Sequence, residues 1–373
     1  MNSPFGVYVH VPFCARACPY CDFDFRVDPR PNGVALLEAL RVEVGHREDA
    51  RRAEPAHTLY VGGGTPSVLS APDLAALLQW MAATWSTASL AEWTVEFNPE
   101  HADPARLDAL VEAGVTRISM GTQSFDPGGL VQLGRAHRPA AAAEAVARAH
   151  ARGLAVSVDL IVGWPGQTQV GLDAEIDAVL ALGCTHVSIY ALTIEPGTPW
   201  ERLVERGVRA EPRADATASL LAHTHARLTS AGFEHYEVAS YAKEGTRAEH
   251  NSGYWLGRDY VGVGPSAASA RFDGPGVRRR TNARGADWWS GQAPTEETLD
   301  EEAGAREAVW LALRLLEGVS VSALLKRVRR DRDWLNSRLV RSLAVGNVEL
   351  DGDRLRVAPG RWLHHDAIAV DVL

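Results

Sequence analysis

Cysteine is scarce in this chain, four residues in 373. That is too few for the disulfide framework of a secreted protein, and it points to a reducing compartment in which thiolates are free to hold metal. Positive charge is scarce as well. With 38 Lys and Arg against 47 Asp and Glu, and a formal net charge of −9, no general affinity for nucleic acid is expected. Long apolar runs are missing: "AVSVDLIVGW" is too short for a membrane span and contains Asp159. The opening "MNSPFGVYVH" has neither the charged region nor the apolar core of a signal peptide, so a cytoplasmic protein is expected. No internal repeat or low-complexity tract is found. What is present is an ordinary globular composition, 46% hydrophobic and 23% charged, at a length that suits one large domain with a small one.

Two kinds of segment alternate from residue 5 to about residue 240. Short apolar, β-branched runs ("FGVYVHV", "HTLYVGG", "WTVEF", "TRISM", "LAVSVDLIVG", "HVSIYAL", "HYEVASY") predict strands. Longer stretches such as "SAPDLAALLQWMAA", "DPARLDALVEAG" and "AAAAEAVARAHARG" have helical spacing. Ser70 and Asp103 stand just ahead of two of these helices and Gly114 and Gly153 just after two, as caps do. Strands alternating with helices imply parallel βαβ units, and fewer than eight fit, so the fold class expected is α/β, an incomplete (β/α) barrel over residues 1–241. Residues 242–298, rich in Gly, Arg and Trp without clear period, are expected to be an irregular covering segment. From 299 to 373 three helices and a hairpin turning at Asp351-Gly352 predict a small C-terminal, winged-helix-like domain. Arg327, Arg329, Arg330 and Arg332 on it are read as a solvated helix face.

The informative stretch is "CARACPYC". Cys14, Cys18 and Cys21 have the spacing C-x3-C-x2-C directly after a predicted strand. A structural zinc site closes with four ligands, and His10 is the nearest candidate for a fourth. A four-iron cluster held by three thiolates instead keeps one iron without a protein ligand. That iron can chelate the amino and carboxylate groups of S-adenosylmethionine, whose sulfonium bond is cleaved on reduction to give a deoxyadenosyl radical. Cys184, far along the chain before "HVSIYAL", is read as a buried core thiol.

"YVHVPFCARACPYCDF" resembles the opening of the radical S-adenosylmethionine proteins that include oxygen-independent coproporphyrinogen dehydrogenase and the HemW heme chaperones. The resemblance implies a [4Fe-4S] cluster on Cys14, Cys18 and Cys21, and it puts Tyr8 and Tyr20 at the cofactor, Tyr20 near adenine. "YVGGGTPS" is similar to the family's methionine-binding strand through Gly63, Gly64 and Thr65, with free N–H groups of the Gly run suiting the methionyl end. "VEFNPE" supplies Glu96 and Asn98, "SMGTQSF" Gln123, "LGRAH" Arg135 and "SVDLIVGWPGQT" Asp159. These lie at the C-terminal ends of successive predicted strands, where α/β sheets bind ligands. Ala191 and Ala268 match apolar contacts, and Gly262, Gly264 and Ser266 match a turn facing the cofactor.

Two features separate the chaperone from the dehydrogenase. Only thirteen residues precede Cys14, and Phe23 stands where the dehydrogenase has a further cysteine. A third feature is positive: "HNSGYW", His250 to Trp255, fits the H-N-x-x-Y-W pattern of HemW-type proteins. The implied function is a heme chaperone, with His250 as axial heme ligand and Tyr254 and Trp255 packed on the macrocycle. The implied partners are heme and respiratory hemoproteins, with peripheral contact to membrane-bound clients. The alternatives are oxidative decarboxylation of coproporphyrinogen III and another radical modification of heme or porphyrin.

Overall fold

The computed structural model describes residues 4–52 and 54–373, and its framework is one sheet of twelve strands. Six of them follow in chain order: β1 (Gly6–Val11), β2 (Thr58–Gly63), β3 (Glu92–Phe97), β4 (Arg117–Gln123), β5 (Ala155–Val162) and β6 (His186–Ala191). Each pairs in parallel with the next. Val9, Leu59, Val61, Val95, Ile118 and Val158 are buried, as a parallel sheet covered by helices requires.

The covering helices include α1 (Gly33–Gly45), α2 (Ala71–Thr84), α3 (Pro104–Ala113), α4 (Pro139–His150) and α5 (Gln169–Ala181). Ser70 accepts from Asp73 N and Asp103 from Arg106 N, so both predicted caps satisfy otherwise free helix donors. Gly114 ends α3 in the left-handed region, with φ +91°.

After α6 (Ala214–Ser230), "HYEVASY" divides into β7 (Glu234–Glu237) and β8 (Ser240–Ala242), paired antiparallel with a register shift between Ser240 and Tyr241. β8 is also antiparallel to β6, which ends the parallel run on that side. The sheet stays open, so the incomplete α/β barrel expected from the sequence is what forms.

Residues 242–298 correct the expectation of an irregular segment. They hold helix α7 (Glu249–Trp255) and strands β9 (Tyr260–Val263), β10 (Ala268–Asp273), β11 (Gly276–Thr281) and β12 (Thr295–Leu299). β9 pairs in parallel with β1, and β10 to β12 continue the sheet as an antiparallel meander. Apolar alternation is weak here because cross-strand ion pairs do part of the work, as with Arg279 and Glu297 at 2.9 Å.

The C-terminal part has its own core around Val309, Leu324, Leu335, Leu339, Leu355 and Ile368. The three expected helices are α8 (Glu301–Ala312), α9 (Val321–Val328) and α10 (Arg332–Ala344), followed by the hairpin Val348–Asp351 and Arg354–Val357. A short strand, Val319–Ser320, and a last helix, His365–Val372, complete it. Of the four arginines expected on a solvated face, Arg329 and Arg332 are exposed, while the other two are engaged: Arg327 donates to Leu256 O at 2.7 Å and lies over the Phe272 ring, and Arg330 reaches Glu301 and Glu302. Among the described residues no helix is long and apolar enough to cross a membrane.

Candidate functional site

The loop after β1 carries Cys14, Cys18 and Cys21 to the C-terminal edge of the parallel strands, where they line a cavity of ≈430 Å³. Gly63, Gly64 and Thr65 reach it from the end of β2, Glu96 from β3, Gln123 from β4 and Asp159 from β5. Tyr20, Asn98, Arg135 and Ala191 line it too. One cavity therefore gathers nearly all the site residues expected from the sequence. Ser119, Tyr190 and Phe23 join them, and sequence reasoning assigned none of these to a site. Ser119 was within reach: it lies on the same face of β4 as Gln123 by strand alternation, and in register opposite Glu96.

Local geometry explains the residue types. A Cβ on Gly64 would meet Phe13 O at 2.6 Å, so only glycine lets this loop lie against the cysteine loop. Gln123 takes φ +66°, an uncommon conformation for a side-chain-bearing residue and one that clusters at functional sites. The N–H groups of the Gly run are not free, which corrects their expected role toward a methionyl group. Gly63 N donates to Glu96 at 3.2 Å, Gly64 N to Val11 O at 2.9 Å and Thr65 N to Phe13 O at 2.7 Å. The run holds the cysteine loop and Glu96 in place instead.

Arg135 is the cationic centre of the cavity. Its guanidinium donates to Asn98 Oδ1 at 2.7 Å and Gly121 O at 2.8 Å, and approaches Cys18 Sγ at 3.4 Å. Its buried Nε has no partner among the described residues. Thr65 Oγ1 donates to Cys14 Sγ at 3.3 Å. Burial pushes the Cys14 thiol up to about 12 and that of Cys21 to about 11.

The two carboxylates are held in an environment that disfavours their charge. Burial raises Glu96 to about 7, against the hydrogen bond from Tyr60 Oη at 2.7 Å, and the nearby Asp159 raises it further. Burial likewise raises Asp159 to about 6, although Ser188 and Ser119 donate to it. Two largely enclosed carboxyls without an ion-pair partner among the described residues make a receptor for a cation.

Tyr8 and His250 lie elsewhere. His250 is 3% exposed and both its ring nitrogens are taken, Nδ1 by Thr58 Oγ1 at 2.8 Å and Nε2 by Tyr254 Oη at 2.8 Å. Its ring stacks on Tyr60 with centroids 4.9 Å apart, and the Glu92 carboxylate accepts from the backbone N–H of Glu249 and His250 to fix the start of α7. An axial ligand offers iron a nitrogen lone pair, so the role expected for His250 requires one of these two hydrogen bonds to break. Tyr8 lines a second cavity of ≈370 Å³ with Tyr254, Trp255, Tyr260 and Trp310, and Ala268 lines it as well. His10 accepts from Tyr8 Oη at 3.0 Å and donates Nε2–H to Asp24 O at 2.9 Å, so it is not a fourth metal ligand. Ser266 does not face the cavity; it donates to the Asp24 carboxylate at 2.6 Å. Cys184 is 1% exposed in the core.

Comparison with known proteins decides the family. Residues 8–180 match the radical SAM superfamily. The heme chaperone HemW of Mycobacterium tuberculosis (strain H37Rv) is 37% identical over 391 residues, covering 100% of this chain and 95% of that protein. HemW of Lactococcus lactis is 31% identical, covering 96% and 93%. The chain belongs to the HemW heme chaperone family. A solved structure, coproporphyrinogen III oxidase (HemN) from Escherichia coli, a radical SAM enzyme, superposes with a TM-score of 0.83 at 20% identity, over 100% of this chain and 90% of that one. That likeness shows the fold alone.

Membership of the HemW family within the radical SAM superfamily implies a [4Fe-4S] cluster and S-adenosylmethionine, and the cavity fits both. Three thiols line the cavity, and His10, the nearest candidate for a fourth donor, is bonded to Tyr8 and Asp24 O, so the triplet suits a cluster that keeps one iron open better than a zinc site closed by four ligands. The unpartnered Arg135 Nε and the uncompensated carboxyls of Glu96 and Asp159 are what a zwitterionic, cationic cosubstrate would satisfy.

Proposed function

We propose that this chain is a heme chaperone that binds heme and delivers it to respiratory hemoproteins. The observation that carries the reading is its full-length likeness to HemW chaperones, 37% identical over 100% of the chain. Three thiolates, from Cys14, Cys18 and Cys21, would hold the cluster. Arg135 would orient the cosubstrate carboxylate, while Glu96 and Asp159 balance its positive charge and hydrogen-bond its polar groups. Gln123 and Asn98 would add polar contacts, and Tyr20 an aromatic wall for adenine. A cluster held by these three thiolates would supply one-electron chemistry at the sulfonium of the cosubstrate. Heme would occupy the aromatic cavity beside α7, where Tyr254 and Trp255 of "HNSGYW" stand with Tyr8 and Trp310.

The test is to incubate reduced, cluster-loaded protein with heme and, separately, with coproporphyrinogen III. Stoichiometric heme binding and no protoporphyrinogen is the expected result. Turnover of coproporphyrinogen without heme binding would contradict the reading and favour the oxidative decarboxylase.

A further inference from the structure

Behind the cysteine-lined cavity sit two ionisable side chains that do not line it, Glu100 and His137. Glu100 belongs to the short turn Pro99–His101 that follows β3, and His137 lies just ahead of α4, against which that turn packs. The His137 side chain is 0% exposed. Its Nε2 has no partner among the described residues, and its Nδ1 faces Glu100 Oε2 at 3.5 Å. A fully enclosed imidazole in that state calls for a reason beyond packing.

Glu100 in turn reaches the cavity through Asn98. Asn98 Nδ2 donates to Glu100 Oε1 at 3.5 Å, the long end of a hydrogen bond, and Asn98 Oδ1 accepts from the Arg135 guanidinium at 2.7 Å. The amide has one useful orientation: reversed, its NH2 group would meet Arg135 donor against donor. The backbone of Asn98 is fixed separately, its N–H donating to Ser67 Oγ at 3.0 Å, with His101 Nδ1 at 3.0 Å from the same hydroxyl. What Glu100 controls is therefore the side chain. Burial works against the charge of Glu100, yet the facing His137 and the Arg135 guanidinium hold its carboxyl down at about 2. It stays ionised, whereas burial pushes Glu96 and Asp159 toward their neutral forms.

Resting on the reading that the cavity holds a cluster and S-adenosylmethionine, we propose that Glu100 and His137 are positioning residues for Arg135. The Glu100 carboxylate orients the Asn98 amide that seats the guanidinium, and His137 offsets the charge of that carboxylate. Arg135 is thereby held by neutral acceptors, Asn98 Oδ1 and Gly121 O, with no ion-pair partner of its own among the described residues. Its positive charge stays available to the cosubstrate carboxylate and to the thiolate of Cys18. A Glu100 without His137 would cancel part of that charge within the fold.

The experiment compares full-length, reconstituted wild type with Glu100→Gln, Glu100→Ala, His137→Phe and a surface-charge control, Glu144→Gln on α4, where the side chain is 64% exposed. Circular dichroism and iron content verify folding and loading. A spectroscopic redox titration gives the cluster potential, and calorimetry gives S-adenosylmethionine affinity. Removing the Glu100 charge leaves that of Arg135 less balanced, so both Glu100 variants should move the potential to a more positive value. Glu100→Gln keeps an acceptor for Asn98 and should stay within about threefold of wild-type affinity, while Glu100→Ala should bind roughly tenfold more weakly. His137→Phe strips Glu100 of its partner and should move the potential the other way, to a more negative value. Opposite shifts from two facing side chains are not what a loss of packing gives. Glu144→Gln should change neither quantity.

Potentials that move the same way in Glu100→Gln and His137→Phe overturn the proposal and leave the cluster and cosubstrate reading standing. So does a shift in Glu144→Gln as large as that in Glu100→Gln, or an unchanged affinity in Glu100→Ala. If His137→Phe does not fold, the two Glu100 variants decide, and no positive shift in either overturns the proposal. Wild type that takes up no cluster, or binds no S-adenosylmethionine, overturns both the proposal and the reading on which it rests.

Discussion

Tyr60 donates its phenolic hydrogen to Glu96 Oε1 across 2.7 Å, and the same Tyr60 ring stacks on His250. One side chain thus touches the carboxylate of the cysteine-lined cavity and the imidazole behind the aromatic one. The link runs through β2, an interior strand that carries Thr58 and Tyr60 two residues apart on the same face.

The carboxylates of the first cavity predict a pH dependence. With Glu96 raised to about 7 and Asp159 to about 6, each is largely neutral below its raised value and ionised above it. A cationic cosubstrate binds the ionised forms, so its affinity should rise by roughly tenfold between about pH 6 and about pH 8, with proton release on binding. Calorimetry in buffers of different ionisation enthalpy measures both. Glu96→Gln should flatten the upper part of the rise. A rise unchanged in that variant would show that Glu96 does not meet the cosubstrate.

Arg135 places positive charge 3.4 Å from Cys18 Sγ. Removing that charge makes an added electron less welcome, so Arg135→Ala should shift the cluster's reduction potential to a more negative value and weaken S-adenosylmethionine binding. Losing a charge-assisted hydrogen bond costs on the order of 1.5–3 kcal/mol, roughly tenfold to a hundredfold in affinity. A spectroscopic redox titration with calorimetry checks both. An unchanged potential and affinity would remove Arg135 from the site.

The four cysteines should divide three to one. Cys14→Ala, Cys18→Ala and Cys21→Ala should each lose the cluster, while Cys184→Ala keeps it because that thiol is 1% exposed in the core, away from the cavity. Iron and sulfide analysis after anaerobic reconstitution decides it. Normal cluster content in Cys18→Ala would contradict the ligand set.

Asp24 fastens the exit of the cysteine loop, accepting from Ser266 Oγ at 2.6 Å and Gly285 N at 2.8 Å. Asp24→Ala should destabilise the fold by about 1.5–3 kcal/mol, the range for hydrogen bonds to a charged group. Hydrogen exchange should speed up in residues 14–28 and around 266–285 together. Faster exchange in neither segment would mean that this carboxylate does not tie them.

The parallel core and its cavity were legible because strand, loop and helix recur in order, and each loop places its polar residue at the same end of the sheet. Ser119 was legible in principle, since alternation from Gln123 reaches it. The state of His250 was not: its partner Thr58 is 192 positions away, and only the folded chain brings them to 2.8 Å. The Gly-run N–H groups misled for a similar reason, because whether they are free depends on where Glu96 and Val11 O lie. In residues 242–298 charged cross-strand pairs such as Arg279 with Glu297 replace apolar alternation, so strands read as irregular chain.

The most direct test of the central claim is heme transfer. Full-length, cluster-loaded protein is charged with one equivalent of heme, freed of excess and mixed with an apo-form respiratory hemoprotein, and the Soret spectra of donor and acceptor are followed after separation. The account predicts that the donor loses heme as the acceptor gains it, faster than from free heme bound to an unrelated carrier. Heme that stays on the donor, or reaches the acceptor no faster than from that carrier, would contradict it.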